Sequence, residues 1–454
     1  MGFSLGTGPA QGEVTGDTRG YGTRLMHRDL NSTDSVPWSG PGGRVSVAGS
    51  VTGAVCSTVF QGTDGWPVAL CTRYLGTTFG PEVAAPSVVL FDPVTAQPVA
   101  SLELRKDGLL GGVYGFLDDR NRVVVAEGQS VVKVEHVVDN GRPVLRIAER
   151  IPLGPESTDV SVAGLTPDGA GRVWFATEDS RIGYLTASGQ PYVLDLGVST
   201  PGGEKIANGL TPRPDGVSVL TTHALYEVGV AADGSPEIRW SRSYDRGSAR
   251  KPGQLSQGSG TTPTFFGPDS SRVAIVDNAD ERPNLLVYDA ATGETVCSVP
   301  AFGTSGQGTE NSLPARGSSL WIPSTYGYSY PSAAVDGESR PASATFTGGL
   351  TRVDLETDPE GREHCVRKWE TGSRLETLPE LTVEDGRIWA LSRDGDGPVV
   401  SLLGVDVETG EEVTRTPVGV LPFDEPMQLT GMIAPDGTLW QGTATRMLKV
   451  APAR

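Results

Sequence analysis

RVAIVDNADERPNLLVYDAATGETVCSV, residues 272–299, is the stretch on which the fold turns. It reads as an apolar strand (272–277), a polar loop (278–284) and a second strand (285–289). A tight DAATG turn (289–293) and a third strand (294–299) complete it. Asp and Gly tolerate the backbone angles that tight turns between antiparallel strands require. A sheet this small cannot bury a core alone, so the next question is whether it repeats.

It does. The opening strand has counterparts in PVALCT (67–72), RVVVAE (122–127), RVWFAT (172–177) and VSVLTT (217–222). Three more follow in SLWIPS (319–324), RIWALS (387–392) and TLWQGT (438–443), giving eight copies with RVAIVD itself. Most come after a turn rich in Asp, Gly or Pro, such as the PDG preceding 217 and 438. The next strand recurs as VVLFD (88–92), LLVYD (285–289), LTRVD (350–354) and LLGVD (402–406), among others, and turns such as DPVT and DVETG lead several copies into a further strand. The eighth copy reaches Arg454 without that last strand. A ring of four-stranded blades must close its edge, and the N-terminal region can supply the missing outer strand from 44–48 or 23–28. The expectation is an all-β chain folded as a single eight-bladed β-propeller closed by an N-terminal strand. Seven blades is the alternative if 56–104 is irregular. Residues 1–43 read as an arm lying on the ring, 44–454 as the propeller, and 330–349 as an insertion over one face.

Composition agrees. The chain has 454 residues with 60 Gly and 34 Pro, and its apolar runs are short and turn-bounded. A net charge of −18 excludes nucleic acid and anionic membrane as expected partners, since both need a basic footprint. No apolar run approaches the roughly 18 residues of a membrane span. The first residues carry no basic stretch followed by an apolar core, so the reading is either a mature form with an added Met or a cytoplasmic protein. Cys56 and Cys71 flank a hairpin turn at Thr63-Asp64 that sets them opposite each other, within bridging distance. A Cys297–Cys365 bridge is left open. Disulfides favour a secreted protein, with the cytoplasm as the alternative. A monomer is expected.

In a propeller, the loops after the second strands share a face with the blade-to-blade connections, and loops on a rigid scaffold are where sites sit. That face collects Glu127, Glu178, His223, Asp277, Asn278, Asp280 and Arg282. Tyr326, Tyr328 and Arg393 follow from later second-strand ends, and the connections add Asn208, Thr309, Glu310, Asn311 and Glu425. Asp277 and Asn278 either ligate a hard cation such as Ca²⁺ or Mg²⁺ through oxygen or hold their own loop by Asx-turns. Glu310 and Asn311 either serve as base and oxyanion donor or cap channel-lining backbone. Tyr326, Tyr328 and Tyr330 alternate with small residues, as a platform for a sugar or as packing beneath the insertion. His223 is the histidine expected to face the funnel, and His27 could fold back over it from the arm. Glu178, Asn208 and Arg282 complete the expected ligand contacts. No GxSxG, P-loop, HExxH or paired CxxC occurs.

GLTPDGAGRVWFATEDSRIGYLTASG (164–189) resembles a blade of the streptogramin lyase and gluconolactonase-like propellers. That resemblance implies a divalent metal in the funnel and a histidine base, for which His223 is the candidate. The turns DAATGETV, DVETGEEV and DPVTAQPV are similar to those of the eight-bladed quinoprotein (PQQ) dehydrogenase-like propellers. Those enzymes carry an adjacent cysteine pair near the quinone, which this chain lacks, so PQQ is not expected. The DNAD loop (277–280), GTENS (308–312) and YGY (326–328) also resemble uncharacterised secreted actinobacterial propellers. Likeness of fold alone transfers no activity. The leading expectation is a small-molecule-processing lyase or hydrolase, metal-assisted, with a funnel-mouth site. The rivals are a non-catalytic extracellular module for a glycan or protein, and a quinone-dependent oxidoreductase.

Overall fold

The strand Arg272–Val276 shows why the repeated runs are unbroken in their hydrophobicity. Val273 and Ile275 project into a cluster with Leu220 and Leu225 of the preceding sheet. Ala274 and Val276 project the other way, against Leu320 and Ile322 of the following one. Side chains alternate across a strand, so one sandwiched between two sheets is apolar on both faces. Each of the eight sheet-to-sheet interfaces holds such a cluster.

The structure is a computed structural model that describes residues 23–75, 82–105, 114–153, 162–197, 203–206, 209–393, 395 and 397–453. It is an eight-bladed β-propeller. Blade 1 runs from inner to outer strand as Val55–Gln61, Pro67–Leu75, Glu82–Phe91 and Pro98–Glu103, so the segment in which seven blades might have been hidden is a regular blade. Blades 2 to 6 repeat the pattern, with inner strands Gly115–Leu117, Val162–Pro167, Leu210–Arg213, Thr264–Phe266 and Ala315–Arg316. Blade 7 begins at Glu380–Thr382 and blade 8 at Met432–Ile433.

The turns hold themselves. In DAATG, Asp289 accepts hydrogen bonds from the Ala291 and Thr292 amides (3.1 and 3.0 Å) and from the Thr292 hydroxyl (3.2 Å). Gly293 closes the turn at φ +68°, and a Cβ there would stand 2.7 Å from the Trp240 ring. Glycine is therefore required twice over, by conformation and by space.

Blade 8 takes its outer strand from the start of the chain. Val45–Val51 pairs antiparallel with Arg446–Pro452, from Val45 opposite Pro452 to Val51 opposite Arg446. Of the two candidate closing segments, 44–48 is the one that closes the ring. Cys56 and Cys71 are direct partners in blade 1 and are bridged. Cys297 and Cys365 are bridged as well, joining the outer strand of blade 5 to that of blade 6. Among the described residues no helix is long and apolar enough to cross a membrane.

Candidate active site in the axial channel

The described part of the arm threads into the ring, residues 1–22 lying outside the described residues. Residues 23–36 enter the central channel, where their carbonyls accept hydrogen bonds from inner-strand amides of five blades. Thr23 takes one from Gln61, Arg24 from Leu117, Asn31 from Phe265, Thr33 from Ala315 and Asp34 from Leu381. Ser35–Val36 then runs parallel to Glu380–Thr382 as a fifth strand of blade 7. Leu25 and Val36 bury themselves in the clusters between blades 2 and 3 and between blades 7 and 8.

Charged residues lock this plug. Arg28, 1 % exposed, sits 3.3 Å from Glu380 and donates to the Gly431 carbonyl. Burial pushes the Glu380 carboxyl up to about 7 despite Arg28 and the Ile433 amide. Asp29 accepts from the Asn31 and Thr33 amides (both 3.0 Å) and from the Thr33 hydroxyl (2.6 Å), while burial lifts it to about 6. Arg28, Ser32 and Asp34 all adopt positive φ (74, 54 and 47°). For residues other than glycine such conformations cost about 1–3 kcal/mol each and persist where surrounding contacts over-determine them.

Over the plug lies a cavity of about 190 Å³. Met26 and His27 form its floor, and residues leading into the inner strands, such as Thr262 and Ser312, form its walls. Leu255, Tyr330, Pro331 and Ala334 line it as well. Two features give it chemical character. His27 shares a 3.0 Å hydrogen bond between Nδ1 and Asp34 Oδ1, and its Nε2 lies 3.4 Å from Thr262 Oγ1 on the wall. With Nδ1 protonated toward the carboxylate, Nε2 is left as the acceptor, facing the Thr262 hydroxyl. Glu310 is 9 % exposed, and neither carboxylate oxygen has a hydrogen-bond partner of normal geometry. Burial pushes it up to about 8, with only the Leu255 amide and the Arg250 charge pulling the other way. Its charge in turn helps to raise the neighbouring Tyr114 and Tyr330 phenols, whose main shift comes from burial. Beside it, the Asn311 side-chain amide donates to Gln428 Oε1 at 2.9 Å.

Of the residues expected from sequence, His27, Glu310, Asn311 and Tyr330 line this cavity and the others described do not. His223 stands on the blade 4 turn between Thr222 Oγ1 (3.0 Å) and the Arg246 guanidinium (2.9 Å), and burial followed by that charge lowers its pKa. Asp277 uses both oxygens within its own loop, accepting from the Asn284 amide (2.6 Å), the Asn284 side chain (3.0 Å) and the Ala279 amide (3.2 Å). Asn278 donates to the Arg246 and Ala249 carbonyls. A Ca²⁺ or Mg²⁺ ion at Asp277 would have to displace bonds already made, whereas Asn278 Oδ1 is buried and accepts no hydrogen bond. Among the described residues no group of three or more His, Cys, Asp or Glu side chains could hold a metal ion.

Tyr328 is buried edge-on against Tyr330 and Phe346, with its hydroxyl 3.3 Å from Glu425, whereas half-buried Tyr326 stands beside Gly306. Arg282 is exposed and Glu178 is half-buried on a blade 3 turn; Asn208 lies outside the described residues. Asp34, Thr262 and Tyr114 escape a reading of blade repeats because they belong to the arm and to irregular approaches. The signal available was the arm itself, where Leu25, Met26, Leu30 and Val36 alternate with His27, Arg28, Asp29 and Asp34, too apolar for a solvated tail.

No protein-family profile matches the chain, nor does any curated protein. Among solved structures it is similar to a putative 6-phosphogluconolactonase from Bacteroides fragilis, at 12% identity and TM-score 0.46, over 80% of this chain and 96% of that one. A catalytically inactive virginiamycin B lyase from Staphylococcus aureus, solved with quinupristin, matches at 9% identity and TM-score 0.43, over 90% of this chain and 100% of that one. BamB from Moraxella catarrhalis matches at 13% identity and TM-score 0.39, over 73% and 93%. These likenesses are of propeller to propeller, at identities that speak to fold alone.

Proposed function

We propose that the protein is a small-molecule-processing propeller, a lyase or hydrolase whose reaction takes place in the axial cavity with His27 as general base. The observation that carries this reading is the Asp34–His27 pair, buried on the arm and presented at the floor of that cavity. A carboxylate on Nδ1 fixes the tautomer and stabilises the imidazolium formed when Nε2 takes a proton, from a substrate carbon or from water. Walls made largely of apolar and aromatic side chains exclude bulk water and strengthen these interactions. The two disulfides support secretion into an oxidising compartment as the setting.

A thermal-shift screen of small metabolites tests the site, because a ligand that binds only the folded state raises its melting temperature. Ligands found in this way are expected to lose their effect when Ser312→Trp fills the cavity, and a hit indifferent to that change removes the axial site. Turnover of the hits, followed by NMR, is expected to fall about 10²–10⁴-fold in His27→Asn. Hits that bind without being turned over by the wild type convert the protein into a recognition module.

A further inference from the structure

We infer that the axial cavity takes a small organic cation, an ammonium or quaternary ammonium group seated against Glu310 with Tyr114 and Tyr330 beside it. The inference rests on the reading of this cavity as the ligand site and names the class of its ligand.

Four other deeply buried carboxylates show what Glu310 lacks. Glu380 has Arg28, Glu376 has Arg374 and Arg393, Asp424 has Arg446, and Glu227 has Arg213. Glu310 is also buried, yet among the described residues no arginine or lysine pairs with it and neither oxygen has a hydrogen-bond partner of normal geometry. An ionised carboxylate so placed is costly unless a partner arrives. Among the described residues no lysine or arginine lines the cavity, which leaves a cationic ligand to supply the partner. Space for the carboxylate is deliberate in the chain: a Cβ on Gly260 would fall 2.2 Å from Glu310 Oε2.

The rest of the lining fits the carbon shell of such a cation. Tyr114 and Tyr330 line the cavity, and aromatic rings attract cations. Met26 and Met427 add polarisable thioethers. A cavity of about 190 Å³ is smaller than the roughly 300–1,000 Å³ of drug-sized sites, which limits the ligand to a few carbons around the charge.

Binding then depends on pH. Glu310 faces the phenols of Tyr114, Tyr244 and Tyr330, the His27 ring across the cavity, and the more distant Arg250. With its carboxyl at about 8, the empty cavity holds a proton at neutral pH that an entering cation expels. From the ionised fraction of Glu310, apparent affinity rises about tenfold between pH 7 and pH 9.

Calorimetric titration of the full chain with choline and with 3,3-dimethylbutan-1-ol, its uncharged isostere, tests the inference. Choline is expected to bind roughly tenfold tighter than the isostere at pH 9 and to show the tenfold gain over pH 7. Glu310→Gln is expected to abolish that preference while leaving the isostere's affinity unchanged. Equal binding of the two probes by the wild type, or a preference that survives Glu310→Gln, overturns the inference while the cavity remains a ligand site. Failure of both probes to bind overturns the inference and the site together.

Discussion

The carboxylates at the rim turns and those along the axis have opposite fates. Asp92 receives the Val94 and Thr95 amides and the Thr95 hydroxyl at 2.7–3.0 Å, and these bonds hold its pKa below the ordinary value. Asp406 and Asp358 repeat the pattern, with lowered values of their own. On the axis, burial pushes Asp29 to about 6, Glu380 to about 7 and Glu310 to about 8. A rim aspartate is satisfied by the two or three residues that follow it. Asp29 keeps that local pattern but is buried, whereas Glu380 depends on Arg28 and Ile433 from distant parts of the chain and Glu310 has no arginine or lysine against it among the described residues.

The sharpest way to break this contrast is to remove an axial partner. Arg28→Ala leaves Glu380 buried without its countercharge and frees the Gly431 carbonyl, and is expected to cost about 3–5 kcal/mol in urea unfolding. The second test uses pH. Glu310 holds a proton in the folded chain that the unfolded chain, at its ordinary 4.5, has released. Its contribution to stability is full below 4.5 and disappears as pH rises through about 8. Glu310→Gln is therefore expected to be more stable than wild type at pH 9, by a few kcal/mol, and to flatten the alkaline limb of the profile. A variant whose melting temperature still falls in parallel with wild type would show that Glu310 is not the group titrating.

The smallest effect belongs to the rim. Asp92→Ala loses three local hydrogen bonds in an exposed turn and is expected to cost about 1 kcal/mol without touching ligand binding. Its pH signature runs the other way, since a lowered carboxylate stabilises above 3.8 and ceases to do so as pH falls through its folded value. Acid titration of wild type and variant should converge below that value.

Much of the propeller is legible because its rules are local. Strands such as Arg272–Val276 are apolar on both faces, and the Asp turns close on themselves, so eight copies can be counted along the chain. Glu310 and Asn311 follow from the same count, being the connection that leads into blade 6. His223 and the DNAD loop sit on the expected face but are absorbed by neighbours, Arg246 for the one and Asn284 for the other. No repeat could disclose that absorption, because it depends on how one loop meets the next. The course of the arm was hidden for the same reason. The closing strand shows an alternating pattern, whereas 23–36 is recognised by amides of five different blades that are contiguous only once the ring exists.

The arm also fixes an order of assembly. A ribosome releases residues 23–51 before any of their partners, yet Val36 waits for Thr382, Trp38 for the Ile433 carbonyl and Val45 for Pro452, near the far end of the chain. Such distant pairings form slowly, and until they do the first segment to be made is the last to be housed. Val36 and Trp38, whose cluster lies between the last two blades, stay uncovered throughout that wait, so the newborn chain is most vulnerable to capture by other chains just before its own final blade emerges.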